Sequence, residues 1–299
     1  MRFLPVLFLA LLACGSGNGR ASLALPGALP GTADDPAANF DAALRYHWLE
    51  RTDTVNTIAK RIPVPAGFRR IDAESASYTS WLRHLPLLPE GSPVLLYNGR
   101  QKVNQSAQAA VLDIDVGKRD LQQCADAVMR LRAEYLYFKN DWENLHFNYT
   151  SGHRIDFKRW SAGERPVVSG NNVSWKTQGK KGTDHENFRS YLDNVFQYAG
   201  SKSLSKELQP VKNEDMRPGD VFIIGGFPGH AVTVMDMAIN PETGEKLFLL
   251  AQSYMPAQQI HVLKNPGSGK LSPWYSLSFK GELETPEWTF PENSLMRFK

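Results

Sequence analysis

The chain has 299 residues, with 34 basic against 31 acidic side chains and no long run of either sign. The basic patch or stripe of a nucleic-acid binder is not visible, and no nucleic acid is expected as a partner. The only two cysteines are Cys14 and Cys124, so the folded part cannot form an internal disulfide. With no H-E-x-x-H and scattered histidines, no metal site is expected.

The chain opens "MRFLPVLFLALLACGSGNGR". Arg2 supplies a minimal positive end, and the apolar stretch Phe3 to Ala13 is too short to cross a bilayer, which needs about 20 residues. It reads as a secretory signal over 1–13. The tetrad Leu11-Leu12-Ala13-Cys14 resembles the bacterial lipobox, which implies lipidation at Cys14 and a domain anchored to the cell envelope outside the cytoplasm. Residues 14–39 are rich in Gly, Ala, Pro and Ser and read as a flexible tether. A single domain is expected over 40–299, with its core over about 55–299.

Apolar spacing is loosely helical from Phe40 to Arg61 and is broken by "RIPVPAGFRR". "SASYTSWLRHLPLLPEGS" predicts a short helix or turn. "PVLLYNGRQKV" predicts a hairpin with Asn98-Gly99 as a type I′ turn, and "AAVLDIDVG" alternates like a strand. "DLQQCADAVMRLRAEYLYFKN" is the best helix. Asp120 and Gln123 have the form of a capping box, and Leu121, Cys124, Val128, Leu131, Tyr135 and Phe138 make one apolar stripe. Residues 139–183 predict an irregular insertion with short strands, in which His146 and His153 flank a turn. "TDHENFRSYLDNVFQYAG" predicts a second helix, capped by Thr183 or Asp184 and stopped at Gly200. Strands are expected over Val221 to Ile224 and His230 to Ala238, joined by "GGFPG", and over "KLFLLAQSY" after the turn "NPETGE". The tail adds short strands and Pro-rich loops.

The lone domain cysteine sits in the first turn of a helix, where unpaired N–H groups and the helix dipole favour a thiolate. Catalysis would also need a histidine to take the thiol proton and a polar group to orient it. His230, opening an apolar strand after a Gly/Pro loop, is the candidate base; a satisfied core or rim histidine is the other reading. Asp236 shares its face but lies ~20 Å along the strand, and is expected to be structural. Folding the hairpin about "NPETGE" pairs residues whose numbers sum to roughly 484. That places His230 opposite Tyr254 and near Gln252, the candidate orienter; a one-residue slip would favour Ser253.

A cysteine opening a helix, then "RPGDVFII…GHAVTVMD" and a strand ending in a polar residue, resembles the papain-like superfamily, above all cell-wall amidopeptidases of the NlpC/P60 and CHAP type. The resemblance implies an α+β fold, a helix packed on an antiparallel sheet, with insertions. It implies Cys124 as nucleophile, His230 as base and Gln252 as orienter. An oxyanion donor would come from the Cys124 backbone N–H, with Gln122 or Gln123 as further candidates. Cys124 is followed by Ala-Asp rather than Ser-Gly, and over a hundred residues separate it from His230. The segments "LQQCADAVMRLRAEYLY", "GDVFIIGGFPGHAVTVMDMA", "LLAQSYMPAQQIHVLKNP", "SPWYSL" and "TPEW" also resemble a bacterial envelope family catalogued as a domain of unknown function, over roughly 55–299.

Two functions follow as expectations. One is an envelope lipoprotein that cleaves or transfers amide bonds through a Cys124 thioester, with peptidoglycan or an envelope peptide as partner and no cofactor. The other is a non-catalytic lipoprotein that binds glycan or a protein through its Trp- and Tyr-rich insertion, with Cys124 a buried packing residue. No Asp/Glu pair stands out for a glycosidase.

Overall fold

The computed structural model describes residues 36–299. The expected signal segment, the lipidation site Cys14 and nearly all of the tether lie outside the described residues.

The centre of the molecule is a sheet whose pairings are all antiparallel. Seven strands make its main path: β1 (Gln108–Val111), β2 (Gln209–Pro210), β3 (Val221–Ile224), β4 (His230–Ile239), β5 (Lys246–Gln252), β6 (His261–Leu263) and β7 (Leu295–Arg297). Their spatial order is β1-β6-β5-β4-β3-β7-β2, with Arg69–Arg70 added beside β4 and Tyr275–Ser276 beside β5. β4 reads "HAVTVMDMAI", a run of apolar and β-branched residues, and all but its last residue are buried. A strand covered on both faces needs that composition rather than alternation.

The register of β4 on β5 shifts midway. Lys246 to Leu249 face Ile239 to Asp236, whereas Leu250 and Ala251 face Val234 and Thr233. Met235 is therefore the extra residue of a bulge, and the pairing sum drops from 485 to the expected 484 just before the strand reaches His230.

Three helices of more than six residues accompany the sheet: α1 (Cys124–Phe138), α2 (His185–Tyr198) and α3 (Ser201–Glu207). α1 and α2 share a core with Val221, Ile223 and Ala231. The opposite face of the sheet, including Phe222, Val232, Val234, Phe248 and Leu250, is covered by the C-terminal segment through Leu283 and Phe290. This mixed α/β architecture, a helix on an antiparallel sheet, agrees with the coarse expectation.

Several local expectations are corrected. α1 begins at Cys124 with Gln123 as its cap, and it is the Asp126 carboxylate that accepts the Gln123 N–H at 3.1 Å. Asp120 is occupied elsewhere, accepting the Ala257 N–H and the Gln123 side-chain amide. Nor does α1 carry one apolar stripe: twelve of its fifteen residues are buried, as befits a helix enclosed nearly all round. The 93–103 hairpin exists as a narrow ladder, with Leu95 bridged to Gln101. Only Gly99 has a positive φ at its tip, so the turn is a type I turn followed by a left-handed glycine rather than type I′. α2 is capped by Asp184, which accepts the Asn187 N–H at 3.1 Å. Gly200 opens α3 rather than closing α2.

The 139–183 insertion is more regular than its sequence implies. It folds into two hairpins, His146–Asn148 with Arg154–Asp156 and Glu164–Ser169 with Asn172–Thr177, joined by the short helix Phe157–Ser161. Phe147, Ile155, Phe157 and Trp160 anchor it on the core of α1 and α2.

Candidate functional site

β4 begins where the "GGFPG" loop ends. That loop lies against α3, and its glycines are required by contact: a Cβ at Gly225 would sit 2.0 Å from Ser205 Oγ, and one at Gly229 would sit 2.4 Å from Ser201 Oγ. Ser201 Oγ donates to the Gly226 carbonyl at 3.1 Å. The loop thus fixes where β4 starts and where the His230 ring stands.

His230 is buried, and its Nε2 lies 2.8 Å from Gln252 Oε1. The expected pairing of His230 with Gln252 is therefore present in the structure. Ser253, the residue a register slip would have chosen, instead donates from its hydroxyl to the Gln122 and Gln258 carbonyls. The imidazole is boxed by aromatic rings, with Tyr254 at 4.8 Å, Trp288 at 5.2 Å and Phe290 at 5.8 Å between centroids. Burial is the main reason its pKa is pushed down to about 4, against the smaller upward pull of Gln252 and Glu287. The ring is neutral at pH 7. Its Nδ1 makes no hydrogen bond among the described residues.

The Gln252 amide has further partners. Its Nε2 donates to Glu287 Oε2 at 2.7 Å and stands 3.5 Å from His261 Nε2. Glu287 is ion-paired with the buried Lys102 and also accepts from Asn104 Nδ2 at 3.2 Å. His261 is fully enclosed, and burial drives its pKa down to about 3.

Cys124 occupies the first position of α1 and is free and nearly buried, at 8% exposure. It lines a cleft of about 900 Å³, together with Gln123, Asp126, Phe227 and Met255. Phe227 is 97% exposed and Met255 51% exposed, so the cleft has an apolar rim. His230 and Gln252 are not part of that wall. Burial first, and the Asp126 carboxylate second, push the thiol up to about 11. The backbone N–H groups of Ala125, Ala231 and Cys124 draw it back. Cys124 shares a buried cluster with Ala231, one residue from His230, and its charge is felt by Tyr254, whose ring packs on His230. No hydrogen bond joins the thiol to the imidazole. The expectation of a thiolate prepared by the helix terminus is corrected: desolvation outweighs the N–H groups, and the resting sulfur is protonated.

The two glutamine candidates differ. Gln123 is on the cleft wall, but its amide donates to Asp120 Oδ1 at 3.1 Å. Gln122 is buried beneath the helix, with Oε1 accepting from Arg130 at 3.0 Å and Nε2 directed to the Asp115 carbonyl. It braces Arg130 and is withdrawn as an oxyanion donor. Asp236 is structural, as expected: Arg70 and Arg83 both pair with it at 2.8 Å in full burial. Gly219-Asp220 is likewise a fold element, with Asp220 accepting from the Arg217 N–H and clamping Arg297.

Sequence reading missed Lys102, Glu287 and Asp126. Asp126 lines the cleft, is buried, and has one carboxylate oxygen without a partner; burial drives its pKa well up. Only "TPEW" among the quoted segments pointed toward Glu287. Among the described residues no group of three or more His, Cys, Asp or Glu is placed to hold a metal ion, and no helix is long and apolar enough to cross a membrane.

No curated protein and no solved structure matches the chain, so nothing in those comparisons ties it to the NlpC/P60 or CHAP enzymes. A family model does match, over residues 58–297 and with the description "domain of unknown function (4846)". The chain belongs to that family.

Proposed function

We propose that this chain is an envelope lipoprotein with a papain-like thiol site that cleaves or transfers amide bonds, with peptidoglycan peptides as the substrate class. Cys124 is the nucleophile, His230 the base and Gln252 its orienter. The observation that carries the reading is the 2.8 Å contact of His230 Nε2 with Gln252 Oε1, at the strand end whose next residue, Ala231, shares a buried cluster with Cys124. A histidine held by one nitrogen, with the other left unbonded to receive a proton, is what nucleophilic catalysis by a thiol needs of its base.

The resting site is neutral, with thiol and imidazole both uncharged. Proton transfer must therefore accompany attack. As the sulfur bonds to the amide carbon, the thiol proton passes to His230 Nδ1 and negative charge gathers on the carbonyl oxygen. The unpaired N–H groups of the first turn of α1, that of Cys124 first, are the donors available to that oxygen. Collapse breaks the C–N bond, and the imidazolium returns its proton to the leaving amine. Water, deprotonated by His230, or an acceptor amine then attacks the thioester and frees the sulfur. Phe227 and Met255 at the rim suit a substrate that carries an apolar group beside the reacting amide.

The test is incubation with peptidoglycan peptides, followed by mass spectrometry of both the products and the protein. Amide cleavage is expected together with an acyl adduct on Cys124, and both vanish in Cys124→Ala and fall at least about a hundredfold in His230→Ala. Cleavage that survives Cys124→Ala, or the absence of any product or adduct, removes the thiol enzyme and leaves the binding lipoprotein.

A further inference from the structure

The "TPEW" segment has no role in the chemistry above, yet its side chains lie behind His230. Residues 285–288 form the tip of a hairpin between Glu282–Glu284 and Thr289–Pro291. The tip is closed by Thr285, whose N–H and hydroxyl both donate to the Trp288 carbonyl, at 2.9 and 2.6 Å. Trp288 packs on the His230 ring, and the adjacent Glu287 accepts from the amide that touches the other side of that residue's chemistry, Gln252.

The direction of each hydrogen bond in this chain is set by what its members can do. An ionised carboxylate only accepts, and Lys102 and Asn104 both donate to Glu287. Gln252 must therefore turn its NH2 toward Glu287, which turns its oxygen toward His230. An amide oxygen only accepts, so His230 must carry its proton on Nε2, which leaves the lone pair on Nδ1. His261 agrees from the other side: its Nδ1 stands 3.0 Å from the Gln259 carbonyl and must be protonated, so its Nε2 is an acceptor for the second Gln252 hydrogen. Every group in the chain has one self-consistent orientation.

We infer that the hairpin tip 285–288 is the positioning element of the site: Glu287, held by Lys102 and Asn104, fixes the Gln252 amide and thereby the His230 tautomer that leaves Nδ1 able to accept a proton. Glu287 does not touch the reacting atoms in this role; it acts through Gln252. The consequence for catalysis rests on the thiol reading, whereas the tautomer does not.

The experiment is histidine nitrogen NMR on the folded protein at neutral pH, with the His230 signal assigned from its loss in His230→Asn. The Nε2–H form is expected to exceed the Nδ1–H form by about tenfold or more, the bias a charge-assisted hydrogen bond supplies. In the double variant Lys102→Met/Glu287→Met, which removes the ion pair as a unit and avoids a lone buried charge, the Nε2–H excess is expected to shrink severalfold, since only the longer 3.5 Å contact with His261 is left to hold the amide. Trp288→Phe keeps an aromatic neighbour and should leave the tautomer unchanged. Predominant Nδ1–H in the wild-type protein overturns the inference even if the double variant fails to fold. So does an unshifted tautomer in the folded double variant. Should the peptide-cleavage test fail while the tautomer responds as stated, the thiol reading falls and this relay stands. Cys124-dependent cleavage with an unresponsive tautomer has the opposite meaning.

Discussion

Strand β4 carries two buried polar centres, one near each end, and they are built on different principles. At Asp236 the carboxylate is enclosed by two arginines, and the rest of its environment closes around them: Arg70 also reaches the Ile62 carbonyl and Arg83 the Ile71 carbonyl, while Asp236 accepts the Met237 N–H. At His230 the chain of partners runs Lys102, Glu287, Gln252, His230 and then stops, with no hydrogen bond to Nδ1 among the described residues. Both centres are equally deep. A closed network is what a core needs to tolerate charge; a network that ends in an unbonded acceptor is what a proton-handling site needs. The difference supports placing the proposed site at the His230 end, and it does so without reference to any motif.

The largest effect expected from this contrast is at the closed centre. Asp236→Ala leaves two buried guanidiniums without their carboxylate, and breaking one buried pair already costs about 3–5 kcal/mol. A loss of about 5 kcal/mol or more in urea unfolding is expected, enough to unfold a domain of ordinary stability. A loss below about 1 kcal/mol would show that the arginines are satisfied without Asp236, and the contrast between the two ends would fail.

The open centre is legible in sequence to a degree that the closed one is not. Apolar runs and the turn "NPETGE" placed Gln252 near His230 by pairing arithmetic, and the bulge at Met235 restored the assumed sum at the only place it mattered. Had the bulge been absent, the sum of 485 would have moved Gln252 one position along β4. Nothing in the string marks Met235 as the bulged residue. The start of α1 was misplaced because Asp120 has the right type and spacing for a cap, but tertiary hydrogen bonding to Ala257 claims it. Glu287 was invisible because it arrives from a Pro-rich tail 35 residues beyond Gln252, and no local period links the two. Cys124 was placed correctly in the first turn, yet its protonation depends on burial and on Asp126, which are properties of the folded environment and not of the segment.

A second and smaller effect is acid lability at the open end. Burial holds His230 at about 4 when folded, against 6.5 for a free imidazole side chain. The unfolded chain therefore binds a proton first as pH falls. Stability from this group is complete above about pH 6.5 and is lost progressively as pH drops toward 4, by on the order of 3 kcal/mol at pH 4. His261 adds a loss of the same sign from its own depressed pKa. The unfolding free energy of the wild-type protein should fall over this window, and His230→Gln should fall less steeply, since Gln has no proton to bind. Parallel acid limbs for the two proteins would mean that His230 takes up its proton as readily in the folded protein as in the unfolded chain, and that burial does not depress it.

The smallest effect concerns the acid beside the thiol. Asp126 is buried with one oxygen unpartnered, and desolvation raises its pKa, so folding favours its protonated form. That stability is present below the ordinary carboxylate range near 3.8 and declines as pH rises toward the folded pKa. Asp126→Asn keeps an oxygen to accept the Gln123 N–H but has no charge to bury. It is expected to gain ~1 kcal/mol at pH 8, a rise of roughly 2–4 °C in Tm, and the gain should vanish near pH 3. The same substitution removes the carboxylate that helps hold the Cys124 thiol up, so the pH at which iodoacetamide alkylates Cys124 should move down. A lower Tm at pH 8 would show that the carboxylate's capping bond outweighs its burial. An unmoved alkylation profile would show that burial alone keeps the sulfur protonated. In the expected case, one side chain both keeps the helix start slightly unstable and adds to the burial that holds the Cys124 thiol protonated.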